Sequence, residues 1–125
     1  FRNAARPGVI HSVLKQAYPS GTNIDNQLVD LLFRPTQRDG AAEAFRGFIN
    51  LFDDYLAPQL MEELTIPVDL IWGEKDPWEP LDEARRWKHN INCIRSLTVI
   101  EGAGHCPHDE MPSEVNKSLQ SILKL

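Results

Sequence analysis

The sequence predicts an α/β fold in which a helical segment precedes a strand–helix–strand–helix unit. Two short apolar runs containing β-branched residues, at residues 68–72 and 97–100, are each followed within two residues by a glycine. That pattern is typical of buried strands that end in tight turns. A stretch with helical apolar spacing separates the two runs, which indicates a right-handed parallel crossover.

The length allows one domain, and the composition is ordinary for a soluble globular protein and argues against two kinds of partner. The chain has 125 residues, of which 42% are hydrophobic, and a formal net charge of −5 at pH 7. An acidic chain without a basic stripe is not suited to nucleic acid, because it cannot neutralise phosphates. No apolar run approaches the roughly 20 residues that span a bilayer, so we expect no transmembrane segment. Cys93 and Cys106 form no CxxC motif, and we expect both to be reduced thiols.

Residues 1–64 carry three apolar stripes at helical spacing, and a shorter helical piece is expected over residues 58–64. The first helix is expected to begin at Pro7, and Thr22 or Asn23 to cap the second. The stripes consist of Val9, Ile10, Val13, Leu14 and Ala17; of Ile24, Leu28, Leu31 and Leu32; and of Phe45, Phe48, Ile49 and Phe52. The third stripe is at core spacing, which favours core packing over substrate contact, although so apolar a segment would suit a hydrophobic ligand.

Residues 65–125 contain the two predicted strands, each followed by a helix that begins at a proline, Pro80 or Pro112. The inward positions of these helices are Leu81, Ala84 and Trp87, and then Val115, Leu119, Ile122 and Leu123. Trp72 lies inside the first strand and is expected in the core. Two parallel strands do not make an independent sheet, because such strands need neighbours on both sides. We therefore expect the remainder of the domain to lie N-terminal to Phe1, and the isolated chain not to unfold cooperatively.

Two titratable side chains follow the two predicted strands. Asp76 comes after the first strand and His105 after the second, 29 residues later. In an open α/β sheet, functional residues lie at the carboxyl ends of the strands. There an aspartate can hold the tautomer of a histidine that acts as general base. The pattern alone leaves a second interpretation open, in which Asp76 only forms a turn with Pro77 and His105 is a structural loop residue.

The two segments resemble parts of a known superfamily. Residues 66–78 resemble the acid-bearing segment of the α/β-hydrolases, and residues 102–112 resemble their histidine segment. The motifs that carry the resemblance are Asp76-Pro77-Trp78 and Gly104-His105-Cys106-Pro107-His108-Asp109-Glu110. The particular residues of these two motifs are similar to those of the pheophytinase-like hydrolases of plants, algae and cyanobacteria. The resemblance implies that Asp76 is the triad acid and His105 the triad base.

The resemblance also implies a place within that fold. It covers the second half of the chain closely and the first half only in kind, as the helical cap that such enzymes insert before the acid strand. The chain would then be the C-terminal part of an α/β-hydrolase fold, with residues 1–64 as the cap and residues 65–125 as the last strands and helices of the core.

The chain departs from the superfamily at the nucleophile. No Gly-x-Ser-x-Gly occurs in the sequence, although that motif forms the strained turn that presents the serine. The serines are Ser12, Ser20, Ser96, Ser113, Ser118 and Ser121, none of them between glycines. The chain is thus expected to supply an acid, a base and a cap without a nucleophile or oxyanion hole, and alone to be inactive.

The resemblance implies a serine hydrolase that cleaves a carboxylic ester, hydrophobic and long-chain, through an acyl-enzyme. The partners expected are a small-molecule hydrophobic ester and the remainder of the hydrolase domain. The resemblance suggests a chloroplast setting, with the cytoplasm as the alternative. C–C bond hydrolases and dehalogenases use similar segments, and this half of the fold does not separate them. The other reading is a truncated or degenerate hydrolase half that acts as a binding module.

The remaining candidates lie around the proposed pair. Trp78 either lines the substrate pocket or packs against the protein. Asp109 and Glu110 are expected to complement the dipole at the start of a helix. No cofactor is implied. No metal site is expected either, because Pro107 stiffens the segment that holds Cys106 and the chain has no second ligand cluster.

Overall fold

The computed structural model of the protein describes residues 5–51 and 57–124. Within these residues, helices fill the N-terminal half, and a strand–helix–strand unit followed by two helices fills the C-terminal half. In chain order the elements are α1 (Pro7–Ala17), α2 (Asn26–Thr36), α3 (Ala41–Asn50), α4 (Ala57–Met61), β1 (Val68–Gly73), α5 (Leu81–Asn90), β2 (Ile94–Ile100), α6 (Pro107–Glu110) and α7 (Pro112–Leu123). The predicted α/β fold class is confirmed.

The two strands form a parallel pair joined by the crossover helix α5. Val68 aligns with Ile94 at one end of the pair, and Gly73 aligns with Ile100 at the other. β2 begins three residues before the predicted start at residue 97. The alignment of the last residues means that both strands stop at the same edge of the sheet.

The hydrophobic pattern missed the start of β2 because polar residues occupy that part of the strand. Arg95 donates from Nε to Asp69 Oδ1 at 3.0 Å, and a second bond joins its Nη2 to Asp69 Oδ2. The Ser96 hydroxyl donates to Asp69 Oδ1 at 2.5 Å. The bonds from Arg95 and then Ser96 lower the pKa of the Asp69 carboxyl. These residues interrupt the apolar run, although they lie in paired strands.

Buried side chains form two clusters. One lies among the N-terminal helices, which we call the cap (α1 to α4 and the segments between them), and the other lies in the α/β unit. The cap cluster consists of Leu14, Ala17, Tyr18 and Val29, with Ile10, Ile24, Leu28 and Cys106 packed against it. The second cluster consists of Ile100, Ala103 and Val115, with Ile71 and Met111 packed against it. Cys106, next to His105 in the chain, thus packs against the core of the cap.

The N-cap residue of helix α2 differs from the two residues predicted from the sequence. Asp25 is the N-cap, and its Oδ1 accepts from Leu28 N at 2.7 Å. The expectation that Thr22 or Asn23 caps this helix was therefore wrong. Asn23 takes a positive φ of 65° and donates from Nδ2 to the carbonyl oxygen of Asp109 at 2.6 Å. An asparagine tolerates this left-handed conformation, and here it links two distant segments.

The phenylalanine-rich stripe of α3 is not in the described core. Phe45 is 48% exposed, Phe48 59% and Ile49 50%. No residue of α3 is buried among the described residues, and Phe52 lies outside them. The prediction of core packing was wrong for the three described residues of the stripe. Across residues 5–51 and 57–124, no helix combines the length and apolar character needed to cross a membrane.

Helix α7 buries only the first of its predicted inward positions. Val115 is 6% exposed, whereas Leu119 is 41% exposed and Leu123 61%. Ile122 is partly buried. Adjacent strand axes lie about 5 Å apart, whereas a helix is about 10 Å across with its side chains. Two strands are therefore too narrow to cover the whole apolar face of the helix.

Candidate active site

Two loops leave the sheet at the edge where both strands end. We call residues 74–80, after β1, the acid loop, and residues 101–106, after β2, the histidine loop. The first residues of the two loops are hydrogen-bonded to each other. Lys75 N donates to Ala103 O at 2.8 Å, and Gly102 N donates to Glu74 Oε2 at 2.9 Å. The parallel register thus brings two segments close that are well separated in the sequence.

The structure brings together the two side chains singled out from the sequence. Nδ1 of His105 lies 2.9 Å from Oδ2 of Asp76. Because a carboxylate only accepts, Nδ1 carries the proton in this contact and a neutral ring leaves Nε2 as an acceptor. The Asp76 side chain is 6% exposed, whereas that of His105 is 38% exposed. A buried acid that orients an accessible imidazole is the arrangement of the acid–base pair in a catalytic triad.

The acid is fixed by its own loop. Oδ1 of Asp76 accepts from the backbone N–H of Trp78 at 2.9 Å and of Glu79 at 3.0 Å. The other oxygen is left for His105. The turn predicted as the alternative to a catalytic role is therefore present together with the pair, and one carboxylate serves both.

Trp72 supports the acid loop from β1. Its Nε1 donates to the carbonyl oxygen of Glu79 at 2.8 Å, and its ring meets the Trp87 ring edge-on at 5.5 Å. The residue is only partly buried and belongs to neither buried cluster, so the expected core position is not met, and its indole bonds to the loop instead. A strand residue thus helps to hold the segment that carries the acid.

Trp78 packs against the imidazole. The Trp78 and His105 ring centroids lie 4.7 Å apart with an interplanar angle of 69°, and Trp78 is 44% exposed. This edge-to-face contact restricts the ring of the base. The prediction that Trp78 lines a substrate pocket stays a prediction.

Two glycines allow the loops and the cap to approach closely. A Cβ placed on Gly73 would overlap the carbonyl oxygen of Gly104. A Cβ on Gly104 would in turn overlap the carbonyl oxygen of Ala17 and the ring of Pro19. In both cases the nearest atom belongs to backbone, which cannot rotate away as a flexible side chain can.

Besides its bonds to the acid loop, the histidine loop is bonded to the cap, both directly and through Glu110. His105 N donates to Ala17 O at 2.9 Å. The carboxylate of Glu110, 2% exposed, accepts from Gly104 N at 2.6 Å through Oε2 and from Ser20 N at 2.8 Å through Oε1. Sequence reasoning missed this bridge. Glu110 does lie in α6, but it is a buried bridge and not a surface acid at the start of a helix.

A second bridge runs beside the first. The Tyr18 hydroxyl donates to Asp109 Oδ2 at 2.7 Å. Burial, and then this bond, raise the pKa of the Tyr18 hydroxyl far above its usual range. Burial likewise raises the pKa of the Cys106 thiol. A thiol held in its neutral form is a poor nucleophile, so Cys106 is not activated despite its place next to His105.

The site is of a kind that needs no metal in its acid–base step. In the part of the chain that the structure describes, no three His, Cys, Asp or Glu side chains are grouped to hold a metal ion.

The described residues have the fold of the C-terminal portion of an α/β-hydrolase. The chain superposes on a serine hydrolase involved in carbazole degradation, the CarC enzyme, with a TM-score of 0.83 and 15% sequence identity, covering 96% of this chain and 48% of that one. It also superposes on a mutant of the meta-cleavage product hydrolase CumD, with a TM-score of 0.77 and 16% identity, covering 95% and 46%. The predicted fold is therefore confirmed.

Sequence comparison finds hydrolases as well. The chain is 29% identical over 129 residues to the chloroplastic pheophytinase of Arabidopsis thaliana, covering 99% of this chain and 26% of that protein. It is 25% identical over 121 residues to the uncharacterized hydrolase YugF of Bacillus subtilis strain 168, covering 96% and 43%. Epoxide hydrolase 3 of Xenopus tropicalis is 24% identical over 93 residues, covering 74% and 25%. No protein-family model matches the chain.

These relatives bear out the resemblance to α/β-hydrolases and to the pheophytinase-like group. The chain spans between a quarter and a half of the length of the curated relatives that it matches.

Proposed function

We propose that the protein containing this chain is a serine hydrolase that cleaves a carboxylic ester through an acyl-enzyme. The observation that carries the proposal is the 2.9 Å contact between His105 Nδ1 and the buried carboxylate of Asp76. His105 is the general base, Asp76 orients it, and the serine nucleophile comes from residues outside this sequence. Relatives named as hydrolases, among them the pheophytinase, support it.

The geometry of the pair defines each proton transfer. Nε2 of His105 takes the proton of the serine hydroxyl as the serine oxygen attacks the ester carbonyl. Asp76, bonded to Nδ1, stabilises the imidazolium that forms. Nε2 then returns the proton to the departing alcohol, which leaves an acyl-enzyme. The same nitrogen next takes a proton from water, whose oxygen attacks the acyl group. Nε2 then returns that proton to the serine oxygen as its bond to the acyl carbon breaks, which releases the carboxylic acid and the free serine.

A hydrophobic ester is the substrate class we propose. Trp78, half-exposed and packed on the imidazole, would contact the substrate next to the reacting atoms. The exposed face formed by Phe45, Phe48 and Ile49 suits an apolar chain. The first relative is named chloroplastic, and a chloroplast location is the corresponding proposal for this protein. Fluorescence microscopy of the tagged full-length protein would check it.

An active-site-directed probe tests the proposal. We expect a fluorophosphonate to add to one serine of the full-length protein, and p-nitrophenyl esters to be hydrolysed. His105→Ala should abolish both, because no base remains to activate the serine. The exposed His89 lies outside the site and provides a matched control, since His89→Ala should leave both intact.

Three results would contradict the proposal. Ester hydrolysis that persists in His105→Ala would remove the histidine from the mechanism. Hydrolysis of an epoxide without any serine adduct would assign the chemistry of the third relative instead. A protein that neither binds the probe nor turns over any ester would favour the degenerate binding module.

A further inference from the structure

Glu110 is the buried acid nearest to the base that the triad chemistry does not use. Glu110 is 2% exposed. Burying a carboxylate is costly unless its oxygens are hydrogen-bonded. Here each oxygen has a backbone partner, Gly104 N at 2.6 Å and Ser20 N at 2.8 Å. The two partners belong to different parts of the fold, so the carboxylate joins them.

One partner belongs to the histidine loop and the other to the turn that follows α1. Gly104 immediately precedes His105 in the chain. The last residue of α1, just before this turn, receives a further bond from the backbone of His105, because His105 N donates to Ala17 O at 2.9 Å. A shift of either segment would therefore displace the imidazole from Asp76.

We propose that Glu110 is a positioning residue for the general base, joining the turn after α1 to the histidine loop so that His105 Nδ1 stays on Asp76. The kinetic part of this inference rests on the proposed hydrolase function, whereas the structural part does not. Glu110 acts through the backbone and does not touch the reacting atoms. Its role is to fix the ring within the small tolerance that catalytic geometry allows.

Glutamine is the sharpest replacement at this position. It has the same shape, but one of its two terminal groups donates instead of accepting. In Glu110→Gln, one of the two backbone N–H groups would therefore face another donor and lose its bond. Glu114→Gln is the matched control, because Glu114 is an exposed acid in the first turn of α7 that pairs with Lys117 at 3.7 Å.

The tautomer of His105 in the full-length protein provides the decisive measurement. Long-range ¹H–¹⁵N correlation spectra of the imidazole, taken at mildly alkaline pH, distinguish a ring protonated at Nδ1 from one protonated at Nε2. We expect the native protein and Glu114→Gln to show the Nδ1-protonated ring. Glu110→Gln should show a mixture, because the contact that selects Nδ1 is no longer held. His105→Ala identifies the signal among the four histidines of the chain.

Ester kinetics provide the second readout. With a p-nitrophenyl ester, Glu110→Gln should lower kcat by on the order of 10- to 100-fold and change KM little, because the base is misplaced while the binding surface is kept. A merely structural role would lower the melting temperature but leave the tautomer and kcat of the folded protein unchanged. That result would overturn the inference.

The two proposals fail in different ways. If the native protein hydrolyses no ester, the proposed function falls, and the tautomer spectra still decide the role of Glu110. If Glu110→Gln does not fold, Glu110→Asp replaces it, because a side chain shorter by one methylene cannot reach both N–H groups. A native tautomer in the folded variant, with kcat equal to that of Glu114→Gln wherever ester is turned over, would overturn the inference.

Discussion

The acid loop and the histidine loop leave the same edge of the sheet, but their hydrogen bonds reach over different distances in the chain. Asp76 is held by the N–H groups of Trp78 and Glu79, which follow it within three residues. The histidine loop is held by Ala17 and, through Glu110, by Ser20, which lie about 90 residues away from their partners. One half of the pair is thus placed by local structure and the other half by the cap.

This difference shows how a catalytic pair can depend on a region that contributes neither of its side chains. The Asp76 side chain is held by the turn that follows β1, and the acid loop bonds further only to β2 and the histidine loop, through Glu74 and Lys75. The base needs the turn after α1 to be docked on the histidine loop. Disturbing the cap should therefore affect His105 before it affects Asp76, and each loop can be tested by a substitution confined to it.

The largest effect is expected at the acid loop, from Asp76→Asn. The amide oxygen can still accept from Trp78 and Glu79, so the turn and the melting temperature should be nearly unchanged. The amide group facing His105 would donate and select the wrong tautomer. We expect kcat for ester hydrolysis to fall by about 10⁴-fold in the full-length protein, as for the triad acid of a serine protease. Turnover near that of the native protein would remove Asp76 from the mechanism.

At the histidine loop, Gly104→Ala should affect stability as well as activity. Its Cβ would overlap backbone of Ala17 at the junction with the cap, so the junction has to open. We expect a loss of about 3 kcal/mol in the free energy of unfolding, measured by urea titration. Gly47→Ala in α3 is the matched control, since no atom lies within 4 Å of its added Cβ. That variant should be stabilised by about 0.5–1 kcal/mol. Equal stability of the two variants would contradict the close approach.

A smaller effect is expected from the cap side, in Tyr18→Phe. The variant loses the bond to Asp109, which should cost about 1–2 kcal/mol at neutral pH. Because burial raises the pKa of Tyr18, its contribution is present below the ordinary tyrosine pKa of about 10 and is lost as the pH rises above it. The reason is that the unfolded chain then ionises while the folded protein does not.

Urea titrations of the native protein and of Tyr18→Phe, at about pH 8 and about pH 11, measure this change. We expect the gap in unfolding free energy between the two proteins to shrink at the higher pH. Cys106 interacts with the Tyr18 hydroxyl and its pKa is also raised by burial, so both titrations are made in a Cys106→Ala background that removes the thiol from the comparison. A gap that is unchanged or widens with pH would show that the Tyr18 hydroxyl is not buried in this junction.

The pair was predictable from the sequence because its signals are local. Two apolar runs, two glycine-containing turns and the order of Asp76 and His105 are all visible along the chain, and they fix the parallel strands and the shared edge. The same local reasoning failed for Glu110. An acid at the start of a helix usually complements the helix dipole, and only the folded chain shows that Ser20 faces it.

The prediction that the phenylalanine stripe of α3 packs in the core was wrong for a related reason. Helical spacing of Phe45, Phe48 and Ile49 tells which residues share a face, but not whether any element covers that face. In the described residues nothing buries it.

The predicted N-cap of helix α2 was wrong by a few residues, because Thr22, Asn23 and Asp25 are all suitable N-cap types. The Asn23 side chain instead donates to the carbonyl oxygen of Asp109, a residue far away in the sequence, and local sequence patterns do not predict such a bond.

The shared carboxylate of Glu110 also has a consequence for how the molecule exchanges its amide protons with solvent. The N–H groups of Gly104 and Ser20 are protected by the same side chain, although they lie in distant parts of the sequence. Loss of that side chain from its place exposes both amides at once. The two protons should therefore exchange with deuterium through one opening event and with one free energy of opening. Opening of the cap and exposure of the loop that carries His105 would then be a single motion of the molecule.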